Sequence, residues 1–176
     1  IVWTRVLALI IGSSVYAFTI MLTTFLVGLA AGAAVVSRIA DRLKGRFAVE
    51  GMIALLTGTA VAAFGTLLLF PELPYQFARI YHDIRGSNTW IFALKFGMAF
   101  AIMLPPTLLL GGLFPLAIRY CAPHVNKLGR SVGMVYASNT VGTILGSFIS
   151  GFFLIPHLGI QNSLMLAILM DLALAA

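Results

Sequence analysis

Charge is the scarcest property of this sequence. Eleven basic and five acidic residues among 176 make 9% charged, where a soluble domain carries roughly a quarter. With 61% hydrophobic residues and a mean hydropathy of +1.05, the chain cannot cover a globular surface with polar groups. Its solvent is lipid. Cysteine is nearly missing too: Cys121 stands alone, which excludes an intrachain disulfide, an iron–sulfur cluster and a thiolate zinc site. It reads as a buried or lipid-facing free thiol.

Catalytic signatures are also lacking. There is no GxSxG, no HExxH and no pair of carboxylates at useful spacing, and His82, His124 and His157 are scattered. Gly111-Gly112 lies in a hydrophobic run rather than after a strand, so it is no nucleotide loop. The chain therefore reads as holding no catalytic residue, no cofactor and no metal. It starts at Ile1 without methionine, and no charged leader or cleavage site marks a signal peptide. The reading is an internal piece of a longer polypeptide, residues 1–176 forming one transmembrane domain.

What charge there is has a pattern. Eight of the eleven bases (Arg38, Arg42, Lys44, Arg46, Arg85, Arg119, Lys127 and Arg130) sit at expected helix ends or in short connections. Bases at the ends of apolar helices mark topology and headgroup contact, not a nucleic-acid surface with interleaved aromatics. The turn at 38–46 has Asp41 as its one acid, and 119–130 has none. In 71–88 the charges Glu72, Arg79, Asp83 and Arg85 cancel. The asymmetry predicts 38–46 and 119–130 on the cytoplasmic side and 71–88 outside.

A membrane helix needs about 20 apolar residues. By that measure about five spanning helices are expected, at about 9–36, 47–70, 89–120, 131–154 and 160–176, giving an all-α polytopic bundle. Trp3 and Arg5 ahead of the first read as an interfacial anchor. Residues 74–85 read as an amphipathic surface helix, and 155–159 as a short outer turn. Pro105, Pro106 and Pro115 predict a kink or local unwinding in the third helix. Glu50, four residues after Arg46, predicts a local ion pair.

Small residues mark the packing faces: Gly28 and Gly32, then Gly51, Gly58 and Gly65 seven apart, then Gly142 and Gly146. Such stripes let backbones approach where lipid and leucine are equally apolar. Tyr136, Asn139, Thr140, Thr143, Ser147 and Ser150 share one face, predicted to be the bundle interior. Lys95 and Asp171 are the candidate intramembrane charges, and a pairing across the bundle is expected between them. Partners read from this pattern are the bilayer and other membrane helices or subunits.

Three stretches together resemble a known family: residues 2–43, residues 104–119 (LPPTLLLGGLFPLAIR) and residues 129–159, with the pattern G-R-x-x-G-x-x-Y-A-x-N-T-x-G-x-x-x-G. They resemble the membrane part of bacterial fused transporter-like/spermidine-synthase proteins, over nearly the whole chain. The resemblance implies a major-facilitator-like six-helix half lacking its first helix. It also implies an attached cytosolic domain like an aminopropyltransferase, none of whose motifs occurs here. Residues 37–46 are similar to the basic turn between helices two and three of major facilitator transporters, with Ser37 at the leading Gly position and one extra residue before Gly45. Three roles follow: a scaffold that positions a soluble domain or partner at the cytoplasmic face, an accessory subunit of a larger membrane complex, or a polyamine or small-cation transporter half. The expected location is the bacterial cytoplasmic membrane.

Overall fold

A computed structural model describes residues 2–11, 14–40, 46–69, 72, 75, 79, 88–121 and 128–176. It is all-α. The elements are α1 (Val2–Ile11), α2 (Val15–Ala40), α3 (Arg46–Leu69), α4 (Asn88–Cys121), α5 (Leu128–Ile149), a π turn (Ser150–Leu154) and α6 (Ile155–Ala175). Among the described residues, four helical stretches are long and apolar enough to cross a membrane: Val15–Ala40, Arg46–Leu69, Ala93–Cys121 and Gly129–Ala175. Their composition fits a multi-pass membrane protein in contact with a bilayer.

The expected first helix is divided in two. Ser14 accepts the Ala17 amide on its hydroxyl at 3.2 Å and the Phe18 amide on its carbonyl at 3.1 Å. It therefore acts as the N-cap of α2 and starts a new helix. The residues before it form α1, which packs into the bundle rather than lying flat at an interface. Val6 and Leu7 are buried, and the Trp3 indole donates to the Thr66 hydroxyl at 3.1 Å. Leu7 joins Ala17, Met21, Ala99, Ile102 and Met103 in one core cluster, and Val6 joins Ala60, Ala63, Leu164 and Ile168 in another. α1 thus bridges the α2–α4 side of the bundle and the α3–α6 side.

The last two expected helices follow one another without a loop but part at Gly159, where two helices meet across a kink, at the end of the expected turn. Side chains satisfy carbonyls before and at this kink. His157 Nδ1 lies 2.8 Å from the Phe153 carbonyl, the Asn162 amide donates to Leu158 at 3.0 Å, and Ser163 donates to Gly159 at 2.6 Å. The result is one stretch of 47 residues, about 70 Å if straight at 1.5 Å per residue. That exceeds a hydrocarbon core of about 30 Å. It bends where Gly159 takes φ 79°, ψ 172°, a non-helical conformation inside the stretch. Glycine adopts such a conformation without steric cost.

α4 holds Pro105, Pro106 and Pro115 within an unbroken helix, so the predicted unwinding is absent. Proline cannot donate to the carbonyl one turn back. Beside the pair, the buried Thr107 hydroxyl donates to Met103 at 2.7 Å and Leu104 at 3.1 Å. The other buried hydroxyls close in the same way. Thr24, Thr59 and Thr66 donate to Ile20, Leu55 and Ala63, and no buried side-chain polar atom among the described residues is left without a partner. The expected amphipathic segment at 74–85 lies outside the described residues except for Tyr75 and Arg79, both exposed.

Candidate functional site

The centre of the bundle is the seam between α2 and α4. Gly28 and Gly32 are buried, as are Gly111 and Gly112. A Cβ on Gly28 would overlap the Thr107 hydroxyl, one on Gly32 the Leu108 carbonyl, and one on Gly111 the Leu29 carbonyl. A Cβ on Gly112 would meet Leu55 Cδ1 at 3.0 Å and also strike Val36. At Gly32 and Gly111 the opposing backbone excludes any side chain but hydrogen, and at Gly28 and Gly112 neighbouring side chains fill the space. In the sequence Gly111 and Gly112 read only as a pair inside a hydrophobic run. Matching them to Gly28 and Gly32, as two small pairs for one crossing, was the signal that would have found them.

The same contacts set the register. Gly28 meets Thr107 and Gly112 meets Val36, so α2 and α4 run in the same sense. A Cβ added to Gly58 would lie 3.3 Å from Leu109 Cδ1, while Leu55 faces Gly112, so α3 runs opposite to them. Nine residues beyond that last contact in both helices, Arg46 comes level with Cys121. The Ser131 hydroxyl donates to the Cys121 carbonyl at 3.0 Å, which brings the first turn of α5 to the same level. Arg46, Arg119 and Arg130 therefore share one end of the bundle. Arg38, two residues past Val36, lies on the same side and about 7 Å deeper by helical rise. Arg46 Nε pairs with Glu50 Oε1 at 2.8 Å, the ion pair expected from their spacing. Asp41, Arg42, Lys44 and Lys127 lie outside the described residues.

Lys95 on α4 and Asp171 on α6 are each half-buried. No ion pair is seen between the two, whereas Arg46 and Glu50 form one. The cause is architectural: α3 packs extensively on both α4 and α6 and lies between them. Asp171 falls one turn beyond Ile168, on the side of α6 that buries Leu164 and Ile168.

The predicted interior face of α5 is exposed. Tyr136, Asn139, Thr140, Thr143 and Ser147 all lie on the surface. Exposed there, the hydroxyls need no partner from the bundle: Thr140 donates to the Tyr136 carbonyl at 2.9 Å, Thr143 to Asn139 at 2.7 Å, and Ser147 to Thr143. Such back-bonding satisfies a hydroxyl on its own helix. A Cβ on Gly142 or Gly146 would meet nothing within 4 Å, and the same holds for Gly65. Gly51 is half-buried near the start of α3. One contact ties α5 back to α4, the Phe114 and Tyr136 rings at 6.0 Å, edge to face.

Two open clefts are present. One, of about 330 Å³, lies between α3 and α6 and is walled by Ala60, Val61, Phe64, Ile168 and Leu172 among others. The second, of about 490 Å³, surrounds the Gly159 bend, with Gln161 and Asn162 as its polar side chains. Among the described residues no group of three or more His, Cys, Asp or Glu could hold a metal ion. Cys121 is exposed at the end of α4. Compared with protein-family models, curated proteins and solved structures, the chain matches none.

Proposed function

We propose that this chain is the membrane scaffold of a spermidine-synthase-like membrane protein, holding a soluble domain or partner at the cytoplasmic face of a bacterial inner membrane. In this reading the basic turns 38–46 and 119–130 face the cytoplasm. The α2–α4 seam carries it: backbone-to-backbone packing at Gly28, Gly32 and Gly111 fixes the helix ends that bear Arg38 and Arg119. A rigid pair of helices with a basic end suits a platform. The family resemblance of residues 129–159 supplies the identity of what the platform would hold.

The complete reading frame is the test. A glycine-rich loop with paired acids, encoded beyond residue 176 and released from membranes by proteolysis of the join, is the expected result. A frame that ends without such a domain contradicts the attached-enzyme version.

A second reading, an accessory subunit of a larger complex, is favoured by one observation: the small and polar stripe of α5 has no cover. Native electrophoresis of gently solubilised membranes separates the two. The scaffold runs at the mass of the polypeptide with its lipid and detergent, and the subunit runs with a different polypeptide.

A further inference from the structure

The register brings arginines from four helices to one end of the bundle, and their hydrogen-bonding capacity is largely unused. Arg46 is committed to Glu50. Arg119 is half-buried, Arg38 and Arg130 are exposed, and no described residue accepts a hydrogen bond or forms an ion pair with any of the three. A guanidinium presents a planar fork of donors that matches two oxygens of one phosphate. Left partly buried without an acceptor, such a group is costly.

We propose that this end of the bundle retains an anionic phospholipid, its headgroup phosphate held by Arg119 and Arg130. Depth selects lipid over a soluble acidic partner. Arg119 lies two residues from the end of an apolar helix, which is headgroup level. Charge at this end is otherwise one-sided: Glu50 is already paired, and Asp41 is the one acid in turns that also hold Arg42, Lys44 and Lys127. The proposal rests on the bilayer environment of the helices alone and is independent of any attached soluble domain.

The experiment is lipid retention by the purified full chain. The protein is exchanged into nanodiscs of phosphatidylcholine doped with phosphatidylglycerol, and bound lipid is counted by native mass spectrometry. The doubly substituted Arg119→Gln/Arg130→Gln protein should retain on the order of tenfold less phosphatidylglycerol, since each basic residue near an anionic headgroup contributes severalfold. Arg5→Gln, on α1 beside the opposite end of α3, should change nothing. Arg119→Lys/Arg130→Lys keeps the charge and loses the fork, and should fall between wild type and the glutamine pair.

Wild-type retention should weaken as salt rises, which tests the idea even if the glutamine protein misfolds. Unchanged retention in the glutamine pair, an equal loss in Arg5→Gln, or salt-independent retention would overturn it. Displacement by millimolar inorganic phosphate would assign the arginines to a free anion and overturn it as well.

Discussion

Two stripes of this molecule share a four-residue spacing of glycines and meet opposite surroundings. On α2, Gly28 and Gly32 lie buried against the backbone of α4, where an added methyl has nowhere to go. On α5, Gly142 and Gly146 face open space, and the side chains around them are exposed. Their flanks differ in one respect. Around Gly28 the neighbours are Leu29, Ala30 and Ala31, whereas Gly142 stands among Asn139, Thr140 and Thr143. Hydroxyls bond their own helix on both stripes, Thr24 and Thr107 in the seam as well as Thr140 and Thr143 on α5, so they allow a stripe to stand uncovered without requiring it. A small-residue spacing therefore permits close packing and does not say whether it occurs.

The comparison can be broken most forcefully at Gly32. Gly32→Leu drives a branched side chain into the Leu108 carbonyl and should cost about 3 kcal/mol or more, at the upper end of overpacking penalties. Thermal unfolding in detergent would show it as loss of the folded species.

Gly28→Ala should cost about 1–3 kcal/mol, because its methyl strikes the Thr107 hydroxyl. Thr107→Ala removes that oxygen, so the double variant should be less destabilised than the sum of the singles by about 1 kcal/mol. Additivity within error would place the clash elsewhere.

The indole bond that ties α1 to α3 is worth less. Trp3→Phe keeps most of the packing and removes the donor to Thr66, an expected loss of about 1 kcal/mol. A full double-mutant cycle with Thr66→Val would measure it.

At the basic end, Glu50→Gln should cost under about 1 kcal/mol, since both partners of the Arg46 pair are exposed and such pairs contribute little. A larger loss that vanishes in high salt would mean the pair is part of a wider charge network.

Much of the architecture was legible because lipid is a demanding solvent. Low charge and long apolar runs dictate helices, and α3 and α4 begin and end within a residue or so of where their apolar runs predict. The Arg46–Glu50 pair followed from spacing alone. What escaped the sequence was decided by local bonds and by neighbours. Ser14 could cap a helix or ride inside one, and only its acceptance of the Ala17 amide separates α1 from α2. The run at 155–159 holds a proline and a glycine and reads as a turn, and the helix does break at Gly159; Ile155 to Leu158 nevertheless stay helical, and His157, Asn162 and Ser163 bind carbonyls around the break. The polar stripe of α5 reads as interior because polar groups in hydrocarbon need partners, and the partners turn out to be its own backbone. Lys95 and Asp171 are matched in charge, but nothing in either helix reveals that α3 comes between them.

The central claim is that the bundle is locked at the α2–α4 glycine seam and unlocked along α5. Unfolding of Gly32→Ala and Gly146→Ala, measured side by side in one detergent, tests it most directly. Gly32→Ala should lose about 1–3 kcal/mol to the backbone clash. Gly146→Ala should be neutral or gain up to about 1 kcal/mol, as glycine to alanine does within a helix with room for the methyl. Equal losses at both positions, or a loss at Gly146 alone, would contradict the account.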